Sequence, residues 1–304
     1  MNYGFLIHGE LNRDRLAAAL ASMLSLPADA VDVGDEGDDD RNWDAPVSCT
    51  VTPLAGDLQW HLDVYTRDTV RSTPPEPVAA SWLARQLHTV VAYEAVPNPP
   101  SAYWLVGPDG RRTRARIHEQ DSDDIPVYRI DAVEHPQSAL PGLPVTALPE
   151  VIRSYRMPTP VTDRLRETLR AQLGAQWEAA EKATRHAVTR LSAWESMVSR
   201  LVEEWPPDGW YPAAYYREDL ETRDELDNAQ DTLPEPVKDE VMTALAEVDR
   251  RFAEATDEDG GQALMTETGP LPRGASDAWW WRRIPHPLPW QNTPAKQPPG
   301  EGNR

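Results

Sequence analysis

Two pairs of side chains near the start of the sequence have the chemistry of an acid–base site. His8 and Glu10 lie two residues apart, and so do His61 and Asp63. In a β-strand this spacing puts both members of a pair on one face, as a general base and its orienting partner require. If the two segments are neighbouring strands, all four side chains converge. They are the candidate catalytic residues, although polar residues on an antiparallel sheet more often face water.

Three arginines alternate along a later segment, at Arg112, Arg114 and Arg116. On a β-strand this spacing puts the guanidinium groups on one face, where they could bind a phosphate or another anionic group. Acidic residues flank the segment and could instead balance the arginines on an ordinary solvent-facing surface. The three arginines are therefore candidate anion-binding residues.

Acidic residues crowd the segment 35–44 and offer the oxygen ligands that Ca²⁺ prefers. Placing Asp38 at the first position of a calcium-binding loop puts Trp43 at the position that requires glycine. The same alignment puts Cys49 where the bidentate glutamate belongs. The calcium-loop hypothesis fails, and we expect a solvated loop with no metal site.

Sequence motifs of several enzyme classes are absent from the chain. It contains no His-Glu-x-x-His, Cys-x-x-Cys, Gly-x-x-x-x-Gly-Lys-Ser/Thr or Gly-x-Ser-x-Gly segment. We therefore expect no cofactor. Enzyme activity stays open but is not favoured.

Negative charge is concentrated in the segment 203–260, whose 19 acidic and 5 basic residues account for 14 of the 20 net negative charges. A dense carboxylate surface can imitate a nucleic-acid backbone and occupy a basic groove of another protein, although ordinary solvated helix faces are the alternative interpretation. Neighbouring aromatic residues could anchor such an interface. The predicted partner-binding residues are Trp210, Tyr215, Tyr216, Glu218, Asp219, Glu221, Asp224, Glu225 and Asp227.

The first half of the chain alternates strand and helix patterns. A helix capped by Asn12 or Asp14 follows the first strand, and a second helix carries an apolar stripe that includes Val78 and Trp82. Gly107-Pro108-Asp109-Gly110 is a strong turn signal between two further strands. The predicted strands cover 3–9, 30–33, 47–51, 58–65, 103–106, 113–117 and 127–133.

The second half of the chain predicts one long helix followed by two more. Apolar or small residues recur at helical spacing from Thr162 or Asp163, so a helix from 162 to 205 would be about 65 Å long at ~1.5 Å per residue. Over its last 29 residues the spacing alternates between three and four, as in a coiled coil. The stripe comprises Trp177, Ala180, Thr184, Ala187, Leu191, Trp194, Val198, Leu201 and Trp205.

This stripe cannot be buried by its own helix. It must pack against the two following helices, over 213–230 and from Pro234 or Glu235 onward, or against a second copy of the chain through residues 177–205. The Trp279-Trp280-Trp281 segment with Arg282-Arg283 is expected to fold back on this half, with the arginines at its edge.

These patterns predict an α+β N-terminal domain and an all-α C-terminal half built on the long helix. The N-terminal domain is expected to be a mainly antiparallel sheet with two helices in a ferredoxin-like arrangement. Prolines recur between the two halves too densely for a regular element. The predicted boundaries are 1–133 for the α+β domain, 134–160 for a proline-rich linker, 161–292 for the helical domain and 293–304 for a disordered tail.

Composition narrows the class of protein. Hydrophobic residues make up 40% and charged residues 26% of the chain, values typical of folded proteins. The single cysteine excludes an intramolecular disulfide, and no apolar run approaches the roughly 20 residues of a membrane span. Arginine outnumbers lysine 27 to 3, which is typical of a GC-rich bacterial genome. We expect a soluble, cytoplasmic protein.

The net charge of −20 would repel nucleic acid and anionic membranes and attract a basic protein. The favoured function is therefore a non-catalytic interaction protein of the inhibitor, immunity-protein or antitoxin kind, which binds a basic partner through its helical half. The alternatives are a hydrolase or transferase that uses the histidine–carboxylate pairs, and a coiled-coil assembly protein that forms a homodimer.

Overall fold

The chain divides between Ser154 and Tyr155 into two units. The computed structural model describes residues 2–95, 99–120, 122, 124–235 and 237–292, except for the side chains of 175, 177–183 and 276. The predicted tail 293–304 lies outside the described residues.

Unit 1 consists of strands, two long helices and one short helix. The predicted alternation of strands and helices is present, with extra short strands. Its elements are β1 (Asn2–Ile7), α1 (Arg13–Met23), β2 (Val31–Gly34), β3 (Val47–Pro53), β4 (Ala55–Gly56), β5 (Trp60–Thr66), α2 (Glu76–Leu87), β6 (Val91–Glu94), β7 (Ala102–Val106), β8 (Arg112–Gln120), β9 (Val127–Val133) and α3 (Pro149–Ser154).

The strands of unit 1 join into one nine-stranded mixed sheet in the order β2-β3-β5-β1-β6-β7-β8-β9-β4. Two pairings, β2 with β3 and β4 with β9, are parallel. The ferredoxin-like prediction is therefore wrong. The error has a physical cause, because strand pairing depends on contacts between segments far apart in sequence, which local alternation does not encode.

Both faces of this sheet carry apolar side chains. Tyr3, Phe5 and Ile7 of β1 pack with the buried faces of α1 and α2, whereas Leu6 points to a second cluster on the opposite face. When both faces of a strand are buried, its sequence is a continuous apolar run instead of an alternation of apolar and polar residues. This explains why β1 and β6 show little alternation.

The short strand β4 lies in the connection between β3 and β5, and it pairs with β9 at the other end of the strand order. Gly56 has φ +97°, and a Cβ there would lie 2.3 Å from the carbonyl oxygen of Tyr128. Asp57 completes the junction by accepting a hydrogen bond from the backbone N–H of Ile130 at 2.9 Å. Only glycine allows this close approach at position 56.

The two long helices of unit 1 agree with the predicted pattern only in part. Asn12 caps α1, and its side chain accepts a hydrogen bond from the Arg15 backbone N–H. On α2 the predicted stripe is wrong at Val78 and Trp82, which are exposed. Small residues form the buried face instead, together with Leu83, so the helix packs closely on the sheet; they are Ala79, Ala80 and Ala84.

Much of the proline-rich segment 134–160 belongs to unit 1. Leu148 and Val151 are buried against Ala95, Ala102 and Ala132. The prolines exclude long regular elements but do not prevent the segment from covering an apolar surface.

Unit 2 is built around four longer helices, and α5 packs against α4, α6 and α7. Its elements are α4 (Pro160–Leu173), α5 (Trp177–Val202), α6 (Ala213–Ala229), α7 (Val237–Glu254), β10 (Asp257–Glu258), α8 (Gln262–Thr268) and β11 (Arg283–Ile284).

The single long helix predicted over 162–205 is wrong. Gly174 follows α4 with φ +49°, a conformation that ends a helix, and one turn later α5 begins. Thr184, Leu191, Trp194 and Val198 are fully buried within unit 2, so this part of the stripe packs inside the chain rather than on a second copy. The Trp177 and Ala180 side chains lie outside the described residues.

The C-terminal half is not all-α, because β10 and β11 form a small antiparallel sheet. The tryptophan segment folds back as predicted: Trp280 and Trp281 are buried, and Arg283 donates a hydrogen bond to the carbonyl oxygen of Ala253 at 2.6 Å. Among the described residues no helix is long and apolar enough to cross a membrane.

Candidate functional site

Among the described residues, no hydrogen bond joins the two candidate catalytic pairs. β1 ends at Ile7, and the His8 ring donates from Nδ1 to the carbonyl oxygen of Asp57 at 2.8 Å. The register of β1 with β5 puts Leu6 opposite His61 and Gly4 opposite Asp63. Across the described part of the chain, no hydrogen bond joins either residue to His8 or to the exposed Glu10.

The arginines of β8 are engaged by neighbours of the same unit. Arg112 and Arg114 both stack on the ring of Trp104, at 4.2 and 4.8 Å from its centroid. Arg114 also lies 3.6 Å from Glu134, a buried carboxylate. The stacking confirms that these two side chains share a face, as the spacing predicts.

Arg116 is bound by two carboxylates of unit 1. It donates two hydrogen bonds to the Glu150 carboxylate, at 2.7 and 2.9 Å, and a third to Asp131 at 2.9 Å. An anionic ligand would have to displace these carboxylates from Arg114 and Arg116, whereas Arg112 is exposed and stacks on Trp104.

The acidic loop of unit 1 is organised by two arginines. Arg41 is buried and reaches Asp32 and the carbonyl oxygens of Gly34 and Cys49, while Arg13 pairs with Asp35 and Asp38. Within the described ranges no group of three or more His, Cys, Asp or Glu side chains is placed to hold a metal ion.

Helix α6 positions most of the predicted partner-binding residues. Tyr216, Leu220, Arg223 and Leu226 form its buried face. The opposite face exposes Glu218, Glu221 and Glu225, three and four residues apart, and we name these three residues the α6 acidic stripe. Glu221 and Glu225 remain about half exposed although Arg217 and Arg190 lie beside them.

Other predicted binding residues make contacts within unit 2, and one of them, Tyr216, is buried. Tyr216 is completely buried and donates to the carbonyl oxygen of Arg283 at 3.0 Å; burial raises its pKa well above the ordinary value, and Asp259 and Asp219 add to the effect. Asp219 accepts a hydrogen bond from the Tyr211 hydroxyl, and Tyr211 packs edge-on against Tyr215.

Asp224 and Asp227 help to build a hydrogen-bonded network around buried Arg223. Asp224 accepts hydrogen bonds from the indole N–H groups of Trp280 and Trp281, at 2.8 and 2.9 Å. Arg223 stacks on Trp280 at 4.1 Å, donates to both carboxylate oxygens of Asp249, and lies 3.5 Å from Asp227. This network fixes the tryptophan segment to α6.

Two clefts border α6. The first cleft, of about 540 Å³, lies near the start of the helix and is lined by Trp210, Pro212, Ala213, Ala214, Arg217, Glu218, Glu267, Thr268 and Trp290. The second cleft, of about 610 Å³, lies beside the Arg223 network and includes Asp227, Arg273, Asp277 and Trp279. The sequence predicts Trp210 and Glu218 at a common surface, and the first cleft contains both.

Sequence reasoning missed Glu267 and Trp290 in the first cleft, and Arg273 and Asp277 in the second. These residues lie at least 45 positions from the α6 residues beside them in each cleft, and nothing in their local sequence indicates that contact. Comparison of the chain with protein-family models, with curated proteins and with solved structures found no match.

Proposed function

We propose that this protein is a non-catalytic interaction protein, of the inhibitor, immunity-protein or antitoxin kind, that binds a basic protein partner through the acidic surface of its helical unit. One observation carries the proposal. All 19 acidic residues of the segment 203–260 are described, none of them is buried, and 11 are exposed. Most of the negative charge predicted from the sequence is therefore at the surface.

The α6 acidic stripe supports a binding role for this charge. Its carboxylates recur about every 5 Å along the helix axis, a charge spacing similar in order of magnitude to that of a nucleic-acid strand. A protein groove that attracts phosphates would also attract such a stripe. Long-range attraction between opposite net charges speeds association and weakens as salt screens it.

The cytoplasm is the proposed compartment. Cys49 is a free thiol buried in the unit 1 core, as expected for a protein that folds under reducing conditions.

Affinity capture from a lysate of the source organism tests the proposal with matched variants. One variant neutralises the stripe with Glu218→Gln, Glu221→Gln and Glu225→Gln. The control removes the same charge from the exposed loop of unit 1 with Glu36→Gln, Asp39→Asn and Asp40→Asn. We expect a basic protein to be retained by the wild type and the loop variant at low salt, released at high salt, and lost by the stripe variant.

Equal loss in both variants would indicate attraction by net charge alone, and retention by the stripe variant would contradict the proposed surface. Circular dichroism of both variants checks that they remain folded.

A further inference from the structure

We propose that the first cleft receives an arginine side chain of the basic partner and thereby anchors it beside the α6 acidic stripe. This inference deepens the proposed function and rests on it.

The cleft has an apolar lining that is fixed in place. Trp290 packs against Tyr216, with ring centroids 5.8 Å apart, and the backbone N–H of Tyr211 lies 3.5 Å from the carbonyl oxygen of Pro289. The segments that carry Trp210 and Trp290 are thus joined, so the lining does not have to form when a ligand arrives. A volume of about 540 Å³ is within the range of pockets that hold a small ligand or a long side chain.

The charged groups of the cleft favour a cation. Glu218 and Glu267 both line it, and both are exposed. Arg217 lines it too, but its guanidinium donates to the Thr268 carbonyl oxygen at 3.1 Å and to Glu221 at 3.3 Å. Among the described residues Glu267 has no ion-pair partner. The lining is therefore net negative, and its single cation is already engaged.

Arginine fits these groups better than other side chains do. A guanidinium stacks on an indole face and can bind a carboxylate through two parallel hydrogen bonds, whereas an ammonium offers a point charge. An anionic group would be repelled by the two carboxylates. An apolar side chain would desolvate them without replacing the lost hydrogen bonds to water.

The test uses the full chain labelled with ¹⁵N and three capped tripeptides, acetyl-Gly-X-Gly-amide, in which X is arginine, lysine or citrulline. Citrulline has the shape of arginine without its charge. Titration is followed by the indole N–H signals in proton–nitrogen correlation spectra. We expect the arginine peptide to shift the Trp210 and Trp290 signals, the lysine peptide to shift them less, and the citrulline peptide to leave them unchanged.

Two variants locate the binding groups. Glu267→Gln and Trp210→Ala should each weaken arginine-peptide binding about two- to fivefold, which corresponds to one exposed ion pair or one cation–π contact. The matched control Glu254→Gln removes an equally exposed carboxylate outside the cleft and should leave the affinity unchanged. Wild-type amide signals outside the cleft in the unliganded Glu267→Gln protein verify that it remains folded.

The outcomes separate this inference from the proposed function. If the arginine and citrulline peptides behave alike, or if the Trp279 signal of the second cleft shifts instead, the arginine cleft is wrong, while capture that depends on the α6 acidic stripe would still support the interaction surface. If the peptide binds the cleft but the stripe variant still captures the basic protein, the proposed function fails although the cleft binds arginine.

Discussion

Carboxylates of the same helix serve two different purposes in unit 2. Asp224 is turned inward and holds two indole N–H groups, whereas Glu221 and Glu225 are turned outward and about half exposed. The distinction follows from the helical period, since positions three and four apart share a face. A substitution at Asp224 should therefore affect folding, and a substitution in the stripe should affect binding.

We expect Asp224→Ala to destabilise unit 2 by about 2 kcal/mol, because two buried indole donors would lose their acceptor. Urea denaturation followed by tryptophan fluorescence measures the change. Glu225→Ala, whose side chain faces solvent, is the control and should cost about 1 kcal/mol or less. Equal effects of the two substitutions would show that the indole hydrogen bonds contribute little.

Because Cys49 is buried, the stability of unit 1 is expected to fall as the pH becomes alkaline. Burial raises the pKa of its thiol from the ordinary value of 9.0 to about 12, and the charge of Arg41 partly opposes this rise. The folded state therefore keeps its proton where the unfolded state has lost it. The stability that the buried thiol contributes is fully present below about pH 9. Between about pH 9 and about pH 12 the free energy of unfolding falls by about 1.4 kcal/mol per pH unit.

Urea denaturation at increasing pH checks this expectation by comparison with Cys49→Ala. The tyrosines titrate in both proteins and cancel in the difference, so the wild type should lose stability more steeply over this window. Parallel curves would contradict a buried, protonated thiol.

At the scale of elements, α5 organises unit 2 through a buried carboxylate. Glu195 is fully buried and accepts hydrogen bonds from the backbone N–H groups of Val161 and Thr162, both at 2.8 Å, and from the Thr162 hydroxyl at 2.7 Å. These N–H groups belong to the first turn of α4, which has no intrahelical acceptors for them. One helix thus caps another, and the negative charge lies at the positive end of the α4 dipole.

We expect Glu195→Ala to lower the free energy of unfolding of unit 2 by about 3 kcal/mol, because three buried donors lose a charged acceptor. Hydrogen exchange should show the first turn of α4 losing protection before the rest of the helix. Glu247→Ala removes an exposed carboxylate that pairs with Arg164 of α4, and should cost about 1 kcal/mol or less. Exchange that is faster along the whole of α4 to the same degree would argue against local capping.

At the scale of the whole molecule, the net negative charge of the helical unit is expected to lower its stability and to favour binding of a basic partner. Ion pairs such as Arg190–Glu225 and Arg250–Glu254 offset part of the negative charge, but the segment 203–260 keeps 14 net charges. Like charges at this density repel one another in the folded state and are screened by salt. The same surplus that destabilises the free protein is available to a basic partner.

We therefore expect the urea midpoint of unit 2 to rise when sodium chloride is increased from low to high concentration. Tryptophan fluorescence follows this unit well, because eight of the twelve tryptophans lie beyond residue 154. The variant that neutralises the α6 acidic stripe should be more stable at low salt and respond less to added salt. A midpoint that falls with salt would show that attractive ion pairs outweigh the repulsion.

A feature is predicted correctly when the residues that determine it are close together in the sequence, and incorrectly when they are far apart. The α6 and α7 patterns place helices where the structure has them, and Val237, Val241, Leu245, Val248 and Phe252 are all buried, because helical spacing is read within a few turns. The order of nine strands could not be read in this way. Nor could the break at Gly174, since a single glycine inside a helical pattern is often tolerated.

The candidate sites follow the same division. Composition and order along the chain are sufficient to predict a strongly acidic helical half, a tryptophan segment that folds back on it and strands that alternate with helices. Three features arise from long-range packing: the hydrogen bond of His8 to Asp57, the pairing of Arg116 with Glu150, and the cleft that Trp210, Glu267 and Trp290 line together. Local patterns report which face of an element is apolar, but they carry no information about which distant residue will neutralise a charge or complete a cleft.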